Sequence, residues 1–188
     1  MKRKVIIILS AIFMLISIVL FIVYLMKGDS SRWQVALGGF AVSALPLLLL
    51  LLKQIPFNIP LIIGYYLTIL CTAFLGSIGS FYLHYKWWDS TLHFYKGLYV
   101  GFIGITLYKI CVPERVRDDV SRWMIFLFIL SLSVSSSVLW EIYEFVGDLL
   151  FTHTMQRGGN KDTMYDLLSC IAGGLIVSIY ATAKKRTV

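Results

Sequence analysis

The chain has 188 residues, of which 59% are hydrophobic and only 14% are charged, and its formal net charge is +7. The charged fraction is well below the value of about 25% that is typical of soluble domains, and the mean hydropathy is +0.81. The basic residues stand at the ends of apolar runs, so the charge pattern excludes a nucleic-acid-binding surface and predicts a membrane protein surrounded by lipid.

Six apolar stretches are each long enough to cross a hydrocarbon layer of about 30 Å as a helix. They lie at approximately 5–26, 33–52, 59–83, 90–112, 122–150 and 163–183. The first run exceeds the apolar length of a signal peptide and no small-residue cleavage site follows it, so we interpret it as a retained span. Pro46 is expected to distort the second span. The sequence thus predicts an all-α bundle of about six transmembrane helices, forming a single domain over residues 1–188.

The basic residues that flank the spans predict the orientation. Ten lie on the side that holds the N-terminus: Lys2, Arg3, Lys4, Lys53, Arg115, Arg117, Arg122, Lys184, Lys185 and Arg186. Five lie on the other side: Lys27, Arg32, Lys86, Arg157 and Lys161. By the positive-inside rule, both chain ends face the cytoplasm. We therefore expect a multi-pass protein of the bacterial cytoplasmic membrane.

Four of the predicted spans carry polar or small residues at helical spacing, with the titratable residues toward the extracytoplasmic end. The third span has Thr68, Thr72, Gly76, Ser80 and His84, and the fourth has Asp89, His93, Gly97, Gly101 and Gly104. The fifth has Ser133, Ser137, Glu141, Glu144 and Asp148, and the sixth has Asp162, Asp166, Ser169, Cys170 and Gly173. A lipid-facing helix would not carry such a stripe, so we expect these faces to meet inside the bundle.

The acids and the histidine of these stripes are the candidate functional residues. An ionised glutamate buried alone would cost several kcal/mol, so Glu141 and Glu144 need a partner or a cation. We predict Glu141, Glu144, Asp166 and His93 as metal ligands, and Asp89 and His93 as catalytic residues, with Asp89 orienting His93 or acting as a general base. Oxygen ligands with one imidazole suit Mg, Mn or Zn as the cofactor. Four further residues are left open as members of the site: His84, His153, Asp148 and Asp162.

These residues also carry a resemblance. The pattern Trp88-Asp89-x-x-x-His93-x-x-x-Gly97, then Trp140-Glu141-x-x-Glu144, then Asp162-Thr163-x-x-Asp166 resembles the YjdF-like family of bacterial inner-membrane proteins over roughly residues 80–175.

A more distant similarity is to the VanZ-like family, whose members pair an Asp-x-x-x-His helix with a later Glu and an Asp-x-x-x-Asn-x-x-Gly helix. Asp166 and Gly173 match the last element, whereas Cys170 stands at the position of its asparagine. VanZ-like proteins are associated with low-level teicoplanin resistance, so the resemblance implies a role at the cell envelope.

Three functions are compatible with this sequence. The leading hypothesis is a metal-dependent enzyme that faces the extracytoplasmic leaflet and acts on a lipid or a lipid-linked envelope precursor. The alternatives are a small proton-coupled transporter or flippase, and a structural or regulatory membrane subunit. The sequence contains no HExxH, GxSxG or P-loop motif, which excludes the usual protease, hydrolase and ATPase chemistries.

Overall fold

A computed structural model describes residues 1–150, 155–156 and 159–184, and these residues form helices and turns with no β-strand. The α-helices are α1 (Lys2–Met26), α2 (Ser30–Ala44), α3 (Ile59–Ile69), α4 (Phe81–His84), α5 (Trp88–Cys111), α6 (Arg122–Leu150) and α7 (Asn160–Ala183). Two short 3-10 helices lie at Leu45–Leu51 and Glu114–Val116, and a π-helix lies at Leu70–Ile78.

Five helical stretches are long and apolar enough to cross a membrane. They are Lys2–Met26, Ser30–Leu51, Ile59–Ile78, Arg122–Leu150 and Asn160–Ala183. Their bounds agree closely with five of the six spans expected from the apolar runs, although the third ends five residues earlier and the first, second and last each begin three residues earlier. The all-helical membrane fold predicted from the sequence is therefore confirmed.

The remaining predicted span, 90–112, forms α5, which has 24 residues. At about 1.5 Å per residue, a helix of this length reaches across the hydrocarbon layer. Helix α5 is not among the five stretches that are apolar enough, and it carries Asp89, Lys96 and Lys109. A sixth crossing, and with it the placement of both chain ends in the cytoplasm, stays a prediction.

Side-chain caps explain where three of the helices begin. The Asp29 carboxylate accepts a hydrogen bond from the Arg32 amide at 3.0 Å, and Asn58 Oδ1 accepts from the Leu61 amide at 2.9 Å. Ser121 Oγ does the same for the Met124 amide at 3.1 Å. These side chains satisfy amides that lack a partner within the first turn of the helix.

Pro46 has the expected effect on the second span. The α-helix ends at Ala44 and continues as a 3-10 helix from Leu45, with Pro46 in its first turn. Proline lacks the amide hydrogen and clashes with the preceding turn, so the regular α-helical pattern stops there.

The third span departs from the sequence-based expectation. The chain adopts a π-helix from Leu70 to Ile78, and Ser80 then takes a left-handed backbone conformation with φ 62°. A π-turn contains more residues than an α-turn, so residues four apart no longer share one face. The predicted stripe from Thr68 to His84 is therefore broken, and the span ends at Ile78 rather than at residue 83.

Arg32 stabilises this break in the third span. Its Nε donates to the Ile78 carbonyl at 3.1 Å, and its Nη2 donates to Ser80 Oγ at 2.9 Å. Its Nη1 pairs with the Asp29 carboxylate at 2.8 Å. The Arg32 amide and guanidinium together hold the pKa of Asp29 below its ordinary value.

The described residues divide into two compact units, 1–88 and 89–188. In the first unit, Phe13 packs against Tyr66 and Phe74 with ring centroids 5.1 and 5.7 Å away, and Ser10 hydrogen-bonds the Tyr66 hydroxyl at 2.6 Å. The core of the second unit contains Tyr108, Ile125, Ile129, Val177 and Ala181. That the chain forms a single domain stays a prediction.

Candidate metal centre

Glycines bring the helices of the second unit together. A Cβ atom at Gly97 would collide with the Cys170 carbonyl oxygen, and one at Gly173 would collide with the Phe94 carbonyl oxygen. The backbones of α5 and α7 are therefore in direct contact. This agrees with the expectation that the faces carrying the small residues meet inside the bundle. The side chains one turn before Gly97 on α5 and one turn before Cys170 on α7 therefore lie close together.

Three candidate residues meet at the end of this seam. The ligand atoms of Asp89, His93 and Asp166 all lie within 4.8 Å of one another. His93 Nε2 lies 3.7 Å from Asp89 Oδ1, and the His93 side chain is 1% exposed while that of Asp89 is 26% exposed. Asp166 is buried, and its Oδ1 accepts a hydrogen bond from Ser90 Oγ at 2.9 Å. His93 and Asp166 are therefore buried, and Asp89 is the member of the cluster that is partly exposed.

Glu141 lies on the other edge of the same imidazole. Its Oε1 is 3.7 Å from His93 Nδ1, beyond hydrogen-bonding distance, and the Glu141 side chain is 7% exposed. Neither Oε1 of Glu141 nor Nδ1 of His93 has a hydrogen-bond partner among the described residues. A buried polar atom without a partner costs about 1–3 kcal/mol, so this pair of atoms requires an explanation.

Glu144, the fourth predicted ligand, is placed differently. Its Oε1 accepts a hydrogen bond from the Trp140 indole N–H at 2.6 Å. The Lys96 ammonium lies 4.0 Å from the centroid of the Trp140 ring, at the distance of a cation–π contact. The structure thus gives Glu144 a partner of its own and does not bring it into the group of Asp89, His93 and Asp166.

The residues left open by the sequence occupy other positions. His84 is exposed and belongs to the first unit, and its Nδ1 lies 2.8 Å from the Ser80 carbonyl oxygen. Asp162 is half-buried in the first turn of α7. His153 lies outside the residues that the structure describes.

Asp148 has a local structural role. Its carboxylate accepts hydrogen bonds from the backbone amides of Met155 at 2.9 Å and Gln156 at 2.8 Å. The Gln156 side chain in turn donates to Thr163 Oγ1 at 3.2 Å. Asp148 therefore anchors the residues that precede α7 to the end of α6.

Sequence reasoning missed two contributors. Ser90 was not singled out, although it stands next to Asp89 and its hydroxyl reaches Asp166. Trp140 was noted only for its place in a motif, yet it contacts both Lys96 and Glu144. In each case the available signal was adjacency to a candidate acid, and helical periodicity does not reveal which partner an adjacent residue contacts.

The polar face of α6 covers only part of the helix. Glu141, Ser137 and Ser133 follow one another at four-residue intervals and are all buried. The same face continues with Ile129 and Ile125, which are also buried and belong to the apolar core of the second unit. On α6, the buried polar residues are thus confined to the part of the helix that runs from Ser133 to Glu141.

The five apolar stretches and the buried carboxylate–imidazole cluster define a helical, polytopic membrane protein. The chain belongs to the DUF2238 family of predicted membrane proteins, whose family model matches residues 8–187.

The chain is similar to a protein of Thermotoga maritima. This "Uncharacterized protein" is 33% identical over 100 residues, an alignment that covers 53% of this chain and 50% of the relative. The chain therefore spans about half the length of that protein. No solved structure matches the chain.

Proposed function

We propose that this protein is a metal-dependent enzyme of the bacterial cytoplasmic membrane that acts on a lipid or a lipid-linked cell-envelope substrate. In this proposal the cation ligands are Asp89, His93 and Asp166. The observation that carries it is the approach of their ligand atoms to within 4.8 Å of one another, on two helices that are far apart in the sequence.

The chemistry of these side chains supports a divalent cation. Two carboxylates at this distance, one of them buried, repel each other unless positive charge lies between them. Imidazole is a better ligand for Zn²⁺ or Mn²⁺ than for Mg²⁺, which prefers oxygen ligands and retained waters. Three protein ligands leave a coordination position for water or substrate, and such a cation would lower the pKa of a bound water.

The limited extent of the polar face favours an enzyme over a transporter. Proton or substrate transport requires a polar route through the membrane. In α6 the buried polar face that runs from Glu141 to Ser133 is replaced by buried isoleucines at Ile129 and Ile125. This arrangement fits a site that opens to one side of the membrane.

The substrate class is inferred from the surroundings of the site and from the resemblances. Apolar side chains such as Leu139, Tyr143 and Leu168 are exposed on α6 and α7, so the second unit presents a lipid-compatible surface. Membership in a family of membrane proteins agrees with the YjdF-like resemblance. The VanZ-like resemblance, which suggests the cell envelope, depends on Asp166 and Gly173.

The proposal is tested by metal content and thermal stability of the detergent-purified protein. A ligand that binds only the folded state stabilises it by about 2.7 kcal/mol at a hundredfold excess over Kd. The melting temperature should fall when chelator is added and recover with Zn²⁺ or Mn²⁺. Asp166→Asn should abolish this response. Glu144→Gln is the matched control, because it removes a carboxylate outside the group, and it should keep the response.

Two results would contradict the metalloenzyme. One is a wild-type protein that contains no metal by elemental analysis and melts at the same temperature with and without chelator. The other is a melting temperature that depends on pH across the carboxylate titration while ignoring chelator, which is the behaviour expected of a proton-coupled transporter.

A further inference from the structure

The imidazole of His93 has a different carboxylate at each edge. Nε2 lies 3.7 Å from Asp89 Oδ1 and Nδ1 lies 3.7 Å from Glu141 Oε1. Since Asp89 belongs to the group of possible ligands and Glu141 does not, the two carboxylates have different relations to a bound cation. The Nε2 edge faces Asp89, a member of the ligand group, and the Nδ1 edge faces Glu141.

We infer that Glu141 is a positioning residue, which accepts a hydrogen bond from His93 Nδ1–H and thereby presents Nε2 to the cation. A neutral imidazole that binds a metal through Nε2 carries its proton on Nδ1. That N–H needs an acceptor, because His93 is almost fully buried. This assignment rests on the metal site proposed above.

The two buried atoms without partners support this role. His93 Nδ1 and Glu141 Oε1 are both unpartnered among the described residues, and they face each other. A movement of less than about 1 Å would bring them to the distance of a normal N–H···O hydrogen bond, about 2.9 Å. One hydrogen bond would then satisfy both atoms. The same bond would hold the ring orientation and raise the basicity of Nε2, as carboxylate partners of metal-bound histidines do.

A positioning role for Glu141 predicts a smaller loss of metal affinity than a role as a fourth ligand. Loss of a partner that acts through a histidine lowers metal affinity about 10–100-fold, whereas loss of one of three ligands should remove measurable binding. Glu141→Gln keeps the size of the side chain and removes its charge. Glu144→Gln makes the same chemical change one turn along α6, where the carboxyl group is bonded to Trp140.

The experiment measures Zn²⁺ affinity of the full-length protein in detergent by competition with a chelating dye. We expect Glu141→Gln to weaken binding about 10–100-fold, Asp166→Asn to abolish it and Glu144→Gln to leave it unchanged. Proton NMR of ¹⁵N-histidine-labelled, Zn²⁺-loaded protein gives a second readout. The His93 Nδ1–H signal, assigned through His93→Gln, should move upfield in Glu141→Gln and stay in place in Glu144→Gln.

The outcomes separate this inference from the proposed function. Wild-type protein that binds no Zn²⁺ overturns both. Wild-type binding with an unchanged affinity and Nδ1–H signal in Glu141→Gln overturns the positioning role alone. A loss in Glu141→Gln as complete as that in Asp166→Asn also overturns it, because Glu141 would then be a ligand. If Glu141→Gln unfolds, Glu141→Asp replaces it, and unchanged Zn²⁺ affinity and Nδ1–H signal in that variant overturn the role.

Discussion

At the residue scale, Trp140 contacts two ionisable side chains of the second unit, those of Lys96 and Glu144. Its ring face lies 4.0 Å from the Lys96 ammonium, and its indole N–H donates to Glu144 at 2.6 Å. An ammonium on a membrane helix is costly unless a partner compensates for the lost water. Trp140 supplies part of that compensation through its π-electrons, which explains how α5 carries Lys96.

The contact with Glu144 leads to a prediction for Trp140→Phe. Phenylalanine keeps an aromatic face for Lys96 but has no N–H for the Glu144 carboxyl group. We expect the free energy of unfolding to fall by about 1 kcal/mol. The measurement is denaturant-induced unfolding in detergent, for Trp140→Phe, Glu144→Gln and the double variant. Because the two side chains share one bond, their effects should be less than additive. Fully additive losses would show that this bond contributes nothing.

At the scale of the helices, the backbone contact between α5 and α7 positions the candidate metal centre. Gly97 and Gly173 are the residues that permit it, since a side chain at either would meet a backbone carbonyl of the other helix. A backbone atom cannot move aside as a flexible side chain can. The two helices would have to separate, and the ligand group would separate with them.

Alanine substitutions test this contact. Gly97→Ala and Gly173→Ala should each lower the free energy of unfolding by about 1–3 kcal/mol and weaken Zn²⁺ binding, although neither residue is a ligand. Gly38→Ala is the control, because a Cβ there would have no neighbouring atom within 4 Å. It should leave stability unchanged or raise it by up to about 1 kcal/mol. Melting temperatures in detergent compare the stability of the three variants, and the chelating-dye competition measures their Zn²⁺ affinity. Wild-type stability in Gly97→Ala would show that the helices lie further apart.

At the scale of the whole molecule, the number of crossings decides on which side of the membrane each loop lies. Six crossings put both chain ends on the same side of the membrane, which the positive-inside rule predicts to be the cytoplasm, and five put them on opposite sides. The crossing that stays a prediction is that of α5, whose polar residues include Lys96, half-buried against Trp140. Because this charge contacts another helix, the lower apolarity of α5 is compatible with a membrane-spanning position.

For a chain whose N-terminus lies in the cytoplasm, cysteine labelling distinguishes these topologies. In a variant whose three native cysteines are replaced, single cysteines are introduced at Asp118 and at Asn160. On intact cells, an impermeant maleimide should label the cysteine at Asn160 and not the one at Asp118, because the positive-inside rule places 113–121 in the cytoplasm. Labelling of both after permeabilisation is the control. Labelling of the cysteine at Asp118 alone on intact cells would contradict the predicted topology, because either α5 would not cross or the whole orientation would be inverted.

The sequence alone was sufficient for the helical membrane class and for the ends of most helices. Both follow from local properties, namely the length of an apolar run and the presence of Pro46, which distorts a helix. The candidate acids and His93 could also be identified, because a titratable residue within an apolar run is unfavourable wherever it lies. The π-helix before Ser80 could not be predicted from the sequence, because nothing in the apolar pattern distinguishes a π-turn from an α-turn.

Only the tertiary structure decided which of these residues meet. Asp89 and Asp166 lie on different helices, and periodicity indicates a face of each helix but not how the helices are rotated against each other. Glu141 and Glu144 are three residues apart and equivalent by sequence, so both were predicted as ligands. The packing of α6 against α5 and α7 turns Glu141 toward His93 and leaves Glu144 with Trp140. That rotation is set by the contacts of backbone and small side chains along the seam, which no single helix determines.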